Sequence, residues 1–183
     1  MARVQLIEAD QAPLLARPYY TGGDPGPIAK ALAQVPELMP EALAFFGRVL
    51  GASALAGRPK EIVVLRTSAA MSCRYCIQAH TVVALDAGLT ADEVRGLRGE
   101  LPLAACFPEV ADRALIDYVD AVASATAVRD EVTAVLLQHL PEYLVVEITL
   151  CAATTLLLNR FCTALELPTA ADTLQRLRSA GFA

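Results

Sequence analysis

The chain has 183 residues, a length that suits one domain and buries roughly 70% of its unfolded surface, so a core can form without disulfide staples. Fifteen basic residues against 20 acidic ones leave a net charge of −5, which argues against general nucleic-acid binding, since that needs a basic face. The composition is 55% hydrophobic with no tryptophan and a mean hydropathy of +0.45, an aliphatic excess that must go to a helical core, a subunit interface or a membrane.

Residues 1–10 show no basic stretch followed by an apolar one, so no signal peptide is visible. Five cysteines is an odd number for a disulfide-stapled secreted domain, and the expected location is the reducing cytoplasm. Residues 1–35 crowd Pro18, Gly22, Gly23, Pro25, Gly26 and Pro27 together, which predicts an irregular N-terminal arm, either a loop or a segment wrapped around a neighbour. From residue 36 to 183 the pattern is that of a single all-helical domain. Leu38, Ala42, Phe45, Phe46, Val49 and Leu50 recur at spacings of three and four and predict one apolar helix face. Pro59 suits the first position of the next helix. Its run Ile62-Val63-Val64-Leu65 could by propensity be a strand, but no partner strands appear and a helix over 60–71 is expected.

Ser72 is a suitable N-cap for a helix over 73–87, with Gly88 as its stop. Thr90 and Glu93 form a T-x-x-E capping box that starts a short helix ending near Leu97. Further helices are expected over 108–123 and 130–140. Pro141 opens a long one whose apolar stretch, 143–158, carries Glu147 and three threonines and is shorter than a typical membrane span; it reads as a buried helix, and no membrane partner is expected. A polar helix over 172–179 closes the chain. The architecture predicted is all-α, with seven or eight helices and short connections. The segments beginning Pro59-Lys60-Glu61 and Pro141-Glu142-Tyr143 echo one another weakly, as an internal helical repeat would.

The chemically informative run is Ser72-Cys73-Arg74-Tyr75-Cys76-Ile77-Gln78-Ala79-His80. At about 100° per residue, Cys73, Cys76 and His80 fall within about 60° of arc on one helix face. Cys76 and His80 are i and i+4, close enough for proton exchange; Cys73 and Cys76 have the spacing of a reversible dithiol. The helix dipole, the free amides of the first turn and Arg74 all favour a thiolate. A structural zinc site would need a fourth ligand from Cys106, Cys151, Cys162 or His139, none of which forms a second close pair. Covalent haem is excluded because Ile77 stands where C-x-x-C-H needs histidine. Plain packing of small cysteines is the remaining alternative. Cys106, Cys151 and Cys162 read as buried core thiols.

The run Glu61-Ile62-Val63-Val64-Leu65-Arg66, then Cys73-x-x-Cys76-x-x-x-His80, then Ala87-Gly88-Leu89-Thr90, resembles the carboxymuconolactone decarboxylase-like superfamily, and within it the alkylhydroperoxidase D-like branch. The resemblance implies a compact multi-helix bundle and a homo-oligomeric thiol peroxidase or disulfide reductase that needs neither haem nor metal. Cys76 matches the cysteine that becomes a sulfenic acid, Cys73 the resolving partner and proton donor, and Glu61 and His80 the proton relay. The chain departs from characterised relatives at Tyr75, where they carry histidine. The partners implied are a hydroperoxide and a dithiol reductant, such as a lipoyl carrier or thioredoxin-like protein. By local physics the helix dipole favours Cys73 as the attacking thiolate and the His80 spacing favours Cys76. We take Cys76, because a base within reach supplies proton transfer as well as a lowered pKa. A cofactor-free lyase of the decarboxylase branch would share the fold without using the dithiol, and a redox-sensing oligomer would form the disulfide without turnover.

Overall fold

The computed structural model describes residues 2–124 and 126–182. Among them lie ten α-helices and no strand: α1 (Gly26–Leu32), α2 (Met39–Leu50), α3 (Gly57–Ala70), α4 (Arg74–Asp86), α5 (Ala91–Leu97), α6 (Leu103–Cys106), α7 (Val110–Ala123), α8 (Asp130–Leu137), α9 (Glu142–Leu165) and α10 (Ala171–Ser179). The all-α expectation is met. The two helices beyond the expected eight are the short α1 and α6. Pro27 sits in the first turn of α1, where its missing N–H leaves no bond unmade, so the Pro/Gly cluster that reads as irregular starts a helix instead.

Helix α3 is the hub, packed against α4, α9, α7 and α5. Ile62, Val63, Val64 and Leu65 point in four directions and are all buried. A helix segment with partners on every side can be apolar all round, which is why this β-branched run mimics a strand. The helix begins at Gly57, so Pro59 lies at its third position and not its first. Pro141 is the N-cap of α9, so the two echoing prolines hold different cap positions.

Helix α9 is the long helix expected after Pro141 and runs past its apolar stretch to Leu165, where Glu166 ends it in the left-handed region at φ 53°. It is long and apolar enough to cross a membrane by length and composition alone. It is not wholly buried. Ile148, Cys151, Ala152, Thr155, Asn159 and Cys162 are buried, whereas Tyr143, Val146, Leu150 and Leu157 are exposed on its outer side. On α2 the predicted apolar face is also divided, because Leu38 and Phe45 face solvent. Glu147, the carboxylate within the apolar stretch of α9, pairs with the buried Lys60 of α3 at 3.5 Å. Lys60 Nζ also donates to the carbonyls of Val49 (3.2 Å) and Gly51 (2.5 Å) and to Ser53 Oγ (2.5 Å).

The N-terminal segment wraps its own chain. Arg3 donates from its amide to the Leu165 carbonyl (2.9 Å) and from Nη1 to that of Ala164 (3.0 Å). Ala16, Ala29, Leu32, Ala33 and Met39 form a small core of their own beside it. This places α1 and Arg3 next to the start of α4.

The capping predictions around α4 divide. Gly88, at φ 90°, ends α4 as expected: its amide reaches the Leu85 carbonyl (3.1 Å) while the Leu89 amide reaches that of Ala84 (3.0 Å), the paired bonds of a Schellman stop. Thr90 and Glu93 form the full capping box that starts α5. Ser72 is not the N-cap. It adopts the left-handed conformation at φ 52°, a strained position for a side-chain-bearing residue that often marks a functional site. The cap position passes to Cys73, whose amide donates to the Ser68 carbonyl (3.1 Å) and whose own carbonyl accepts from Ile77 (2.9 Å).

Candidate active site

Glu61, from the buried hub helix α3, meets His80 of α4: Oε2 lies 2.9 Å from Nδ1. That contact fixes which ring nitrogen faces the carboxylate and leaves Nε2 as the other proton-handling atom. Cys73 and Cys76 are both buried and reduced, with their sulfurs 2.8 Å apart. All four residues singled out by sequence are therefore brought into one region. Among the described residues, no three His, Cys, Asp or Glu side chains are arranged to hold a metal ion.

Two cavities meet at the dithiol. The inner one, about 100 Å³, is lined by Cys76 and His80 together with Ser68, Tyr75, Asn159 and apolar groups that include Ile28 and Leu158. The outer one, about 200 Å³, is lined by Cys73, Tyr75 and Cys162 with Arg3, Arg74 and Glu166. Tyr75 forms part of both walls. Burial, followed by the neighbouring thiols, pushes its phenol up, so it enters neither cavity as a base.

Cys162, read from sequence as an inert core thiol, belongs to this site. It packs in one buried cluster with Cys73 and Cys76. The Cys162 thiol is the largest influence holding Cys73 down to about 2, followed by the Cys76 thiol, against the opposing effect of burial. At Cys76 the contact with Cys162 acts to lower the pKa. It is outweighed by the bond to Cys73, by burial and by the charge on Cys73, and Cys76 rises to about 12. The pair thus carries one negative charge, held on Cys73 at the start of α4, where the amide of Cys76 adds to its stabilisation. Cys162 itself is driven up, first by Cys73 and then by Cys76 and burial.

A pH experiment follows. Because Cys73 is depressed, its thiolate persists as pH falls well below the ordinary thiol range near about 8.5; because Cys76 is raised, a second thiolate forms only towards about 12. Ultraviolet thiolate absorbance of the reduced chain should show one thiolate surviving into mildly acidic buffer and lost in Cys73→Ser. An ordinary thiol titration in both proteins would contradict this charge assignment.

Asn159 of α9 is the other residue that sequence reading passed over. It is 1% exposed and donates from Nδ2 to Ser68 Oγ at 3.1 Å. Its Oδ1 is buried with no hydrogen-bond partner among the described residues, and Asn159 is one of the residues lining the Cys76 cavity. A buried amide oxygen without a partner costs about 1–3 kcal/mol, which marks it as a place where a ligand's donor would be welcome. No local motif announces Asn159 or Cys162, since both lie some 80 residues beyond the dithiol in sequence.

Residues 36–117 match the family model described as carboxymuconolactone decarboxylase family, and no curated protein matches the chain. Among solved structures, an uncharacterized peroxidase-related protein with an alkylhydroperoxidase AhpD core, from Ralstonia eutropha JMP134, is 19% identical with a TM-score of 0.81, covering 94% of each chain. An uncharacterized peroxidase-related protein from Silicibacter sp. TM1040 is 18% identical with a TM-score of 0.81, covering 94% of this chain and 93% of that one. The debrominase Bmp8 in complex with 2,3,4-tribromopyrrole is 18% identical with a TM-score of 0.80, covering 98% of this chain and all of the other. At such identities the likeness speaks for the fold, and the neighbours' names show that the fold serves more than one chemistry. Residues 36–117 are thus similar to the carboxymuconolactone decarboxylase family, and the chain has the all-helical fold of alkylhydroperoxidase D-like proteins.

Proposed function

We propose that the protein is a thiol-dependent hydroperoxidase, or disulfide reductase of the same chemistry, working with the Cys73–Cys76 pair and without a cofactor. The observation that carries this reading is the dithiol at 2.8 Å with one sulfur lining a cavity shared by a carboxylate-bound histidine. His80 takes the proton of Cys76, directly or through a water, as the peroxide enters, so the nucleophile forms at the sulfur that faces substrate. Cys76 attacks the O–O bond and becomes a sulfenic acid, and the leaving alkoxide takes a proton through His80. Cys73 then attacks that sulfur. The departing hydroxide is protonated to water and the disulfide closes. Two thiols and one hydroperoxide thus become one disulfide, one alcohol and one water.

Glu61 holds the His80 ring through its contact with Nδ1. Asn159 Oδ1 accepts the hydrogen of the peroxide hydroxyl, and the apolar lining suits a small alkyl hydroperoxide. A dithiol reductant resets the disulfide, further copies of this chain cover the exposed stripe of α9, and the setting is the cytoplasm; these partners and this location belong to the proposal.

The test is peroxide consumption with dihydrolipoamide or a thioredoxin-like protein as reductant. Turnover supports the reading. Formation of the disulfide with no turnover would make the protein a redox sensor, and no redox change at either cysteine would leave the lyase reading. Glu61→Gln should lower kcat/KM about 10²-fold with unchanged helicity, because an amide can donate to Nδ1 and select the wrong tautomer of His80. Retention of full activity would remove Glu61 from the relay.

A further inference from the structure

The outer cavity has no part in the peroxide step, and three sulfurs sit in one buried cluster where a dithiol mechanism uses two. Cys76 lines the inner cavity and not the outer one; Cys162 lines the outer cavity and not the inner one; Cys73 belongs to the same buried cluster and lines the outer cavity beside Cys162. The rigid frame of α9 holds Cys162 in place: its carbonyl accepts from the Leu167 amide at 3.0 Å in the turn that ends the helix. The walls of the outer cavity are also unlike those of the inner one, carrying Arg3, Arg74 and Glu166, charged groups of the kind that meet another protein or a polar dithiol.

We propose that Cys162 is a third redox thiol, which attacks Cys73 in the Cys73–Cys76 disulfide and moves the oxidised bond to Cys73–Cys162, on the wall of the outer cavity where the reductant is met. The S–S bond between Cys73 and Cys76 breaks as the bond between Cys162 and Cys73 forms. Cys76 leaves with the electron pair and takes up the proton lost by Cys162, so the exchange is neutral and involves no net oxidation. Cys76 is thereby freed in the substrate cavity while the oxidising equivalent waits at the outer one. The order of events is built in. In the reduced protein Cys162 is held protonated, foremost by its contact with Cys73; disulfide formation removes the charge on Cys73 and leaves burial as the main opposition.

The inference builds on the dithiol of the proposed function, but its test uses diamide, which takes two electrons and two protons from a thiol pair whether or not the protein is a peroxidase. Cleavage after arginine separates the three cysteines, because Arg66, Arg74, Arg95, Arg160 and Arg176 place Cys73 on peptide 67–74, Cys76 on 75–95 and Cys162 on 161–176. After diamide, capping of free thiols with N-ethylmaleimide and digestion, the wild type should yield peptide 67–74 linked to 161–176, rising as its link to 75–95 falls. Cys76→Ser should yield only the Cys73–Cys162 link, and Cys162→Ser should lose that link entirely while retaining Cys73–Cys76. Circular dichroism confirms that each variant is folded, with Cys162→Ala as the apolar replacement. Absence of the Cys73–Cys162 link from both wild type and Cys76→Ser overturns the relay. Failure of peroxide turnover with the link present overturns the peroxidase reading alone.

Discussion

Replacing Cys76 with serine is expected to abolish dithiol-dependent peroxide consumption, with kcat/KM falling on the order of 10³-fold or more, as for removal of an enzyme nucleophile. Serine keeps the size of the side chain, and a hydroxyl is a far weaker nucleophile than a thiolate at neutral pH. The companion variant separates nucleophile from resolver. Cys73→Ser should still form a sulfenic acid, trapped by a dimedone-type probe on peptide 75–95, because the cavity and His80 remain; it should fail to complete turnover with the dithiol reductant. The resting charge lies on Cys73, so labelling could run the other way. A sulfenic acid that survives Cys76→Ser and vanishes in Cys73→Ser would make Cys73 the attacking sulfur. The geometry favours Cys76 because a nucleophile has to meet its substrate, and the cavity lined by His80 and Asn159 is the one that Cys76 lines.

The second large effect concerns the frame that holds Glu61. Its sequence neighbour Lys60 is 3% exposed, and Glu147 supplies the compensating charge while also accepting from Ser53 Oγ and, at 3.2 Å, from the Leu55 amide. Glu147→Ala should destabilise the protein by about 3–5 kcal/mol, the cost of leaving a buried charge unpaired, read as a lower urea midpoint. Replacing both partners, Lys60→Met with Glu147→Leu, should recover most of the loss, because the penalty lies in the unpaired ammonium and not in the absence of the pair. A loss below about 1 kcal/mol for Glu147→Ala would show that the ammonium is adequately held by the Val49 and Gly51 carbonyls and by Ser53.

Cys73, Cys76 and His80 were legible from sequence because short-range geometry relates them, whereas Glu61 was named through the family resemblance. Helical spacing places Cys76 and His80 one turn apart, and the motif fixes Glu61 at twelve residues before the first cysteine. The stops and starts read from local chemistry also held where the chemistry is self-contained, as at Gly88 and in the Thr90–Glu93 box. Ser72 failed as a cap because cap preference is a local average, whereas the tight turn from α3 into α4 ties the Cys73 amide to the Ser68 carbonyl and pushes Ser72 into the left-handed region. The strand-like run in α3 was resolved only by its surroundings: a helix with partners on every side has no polar face to betray its period.

By itself, then, the sequence indicated the all-helical class and the cysteine pair with His80 one turn on, consequences of residue type and spacing within a few helical turns. Tertiary structure decided which other parts of the chain complete the site. Residues 36–117 carry the family pattern, yet Ile28, Asn159 and Cys162 come from α1 and α9, outside it. Their arrival depends on the crossing of α9 over α3 and α4 and on the return of the N-terminal segment to the end of α9. The same packing divided the aliphatic excess of the composition between a buried hub and an exposed stripe on α9. It also set the charge of the dithiol, because a thiol's pKa follows from the groups packed against it, and no spacing in the chain records that Cys162 would be one of them.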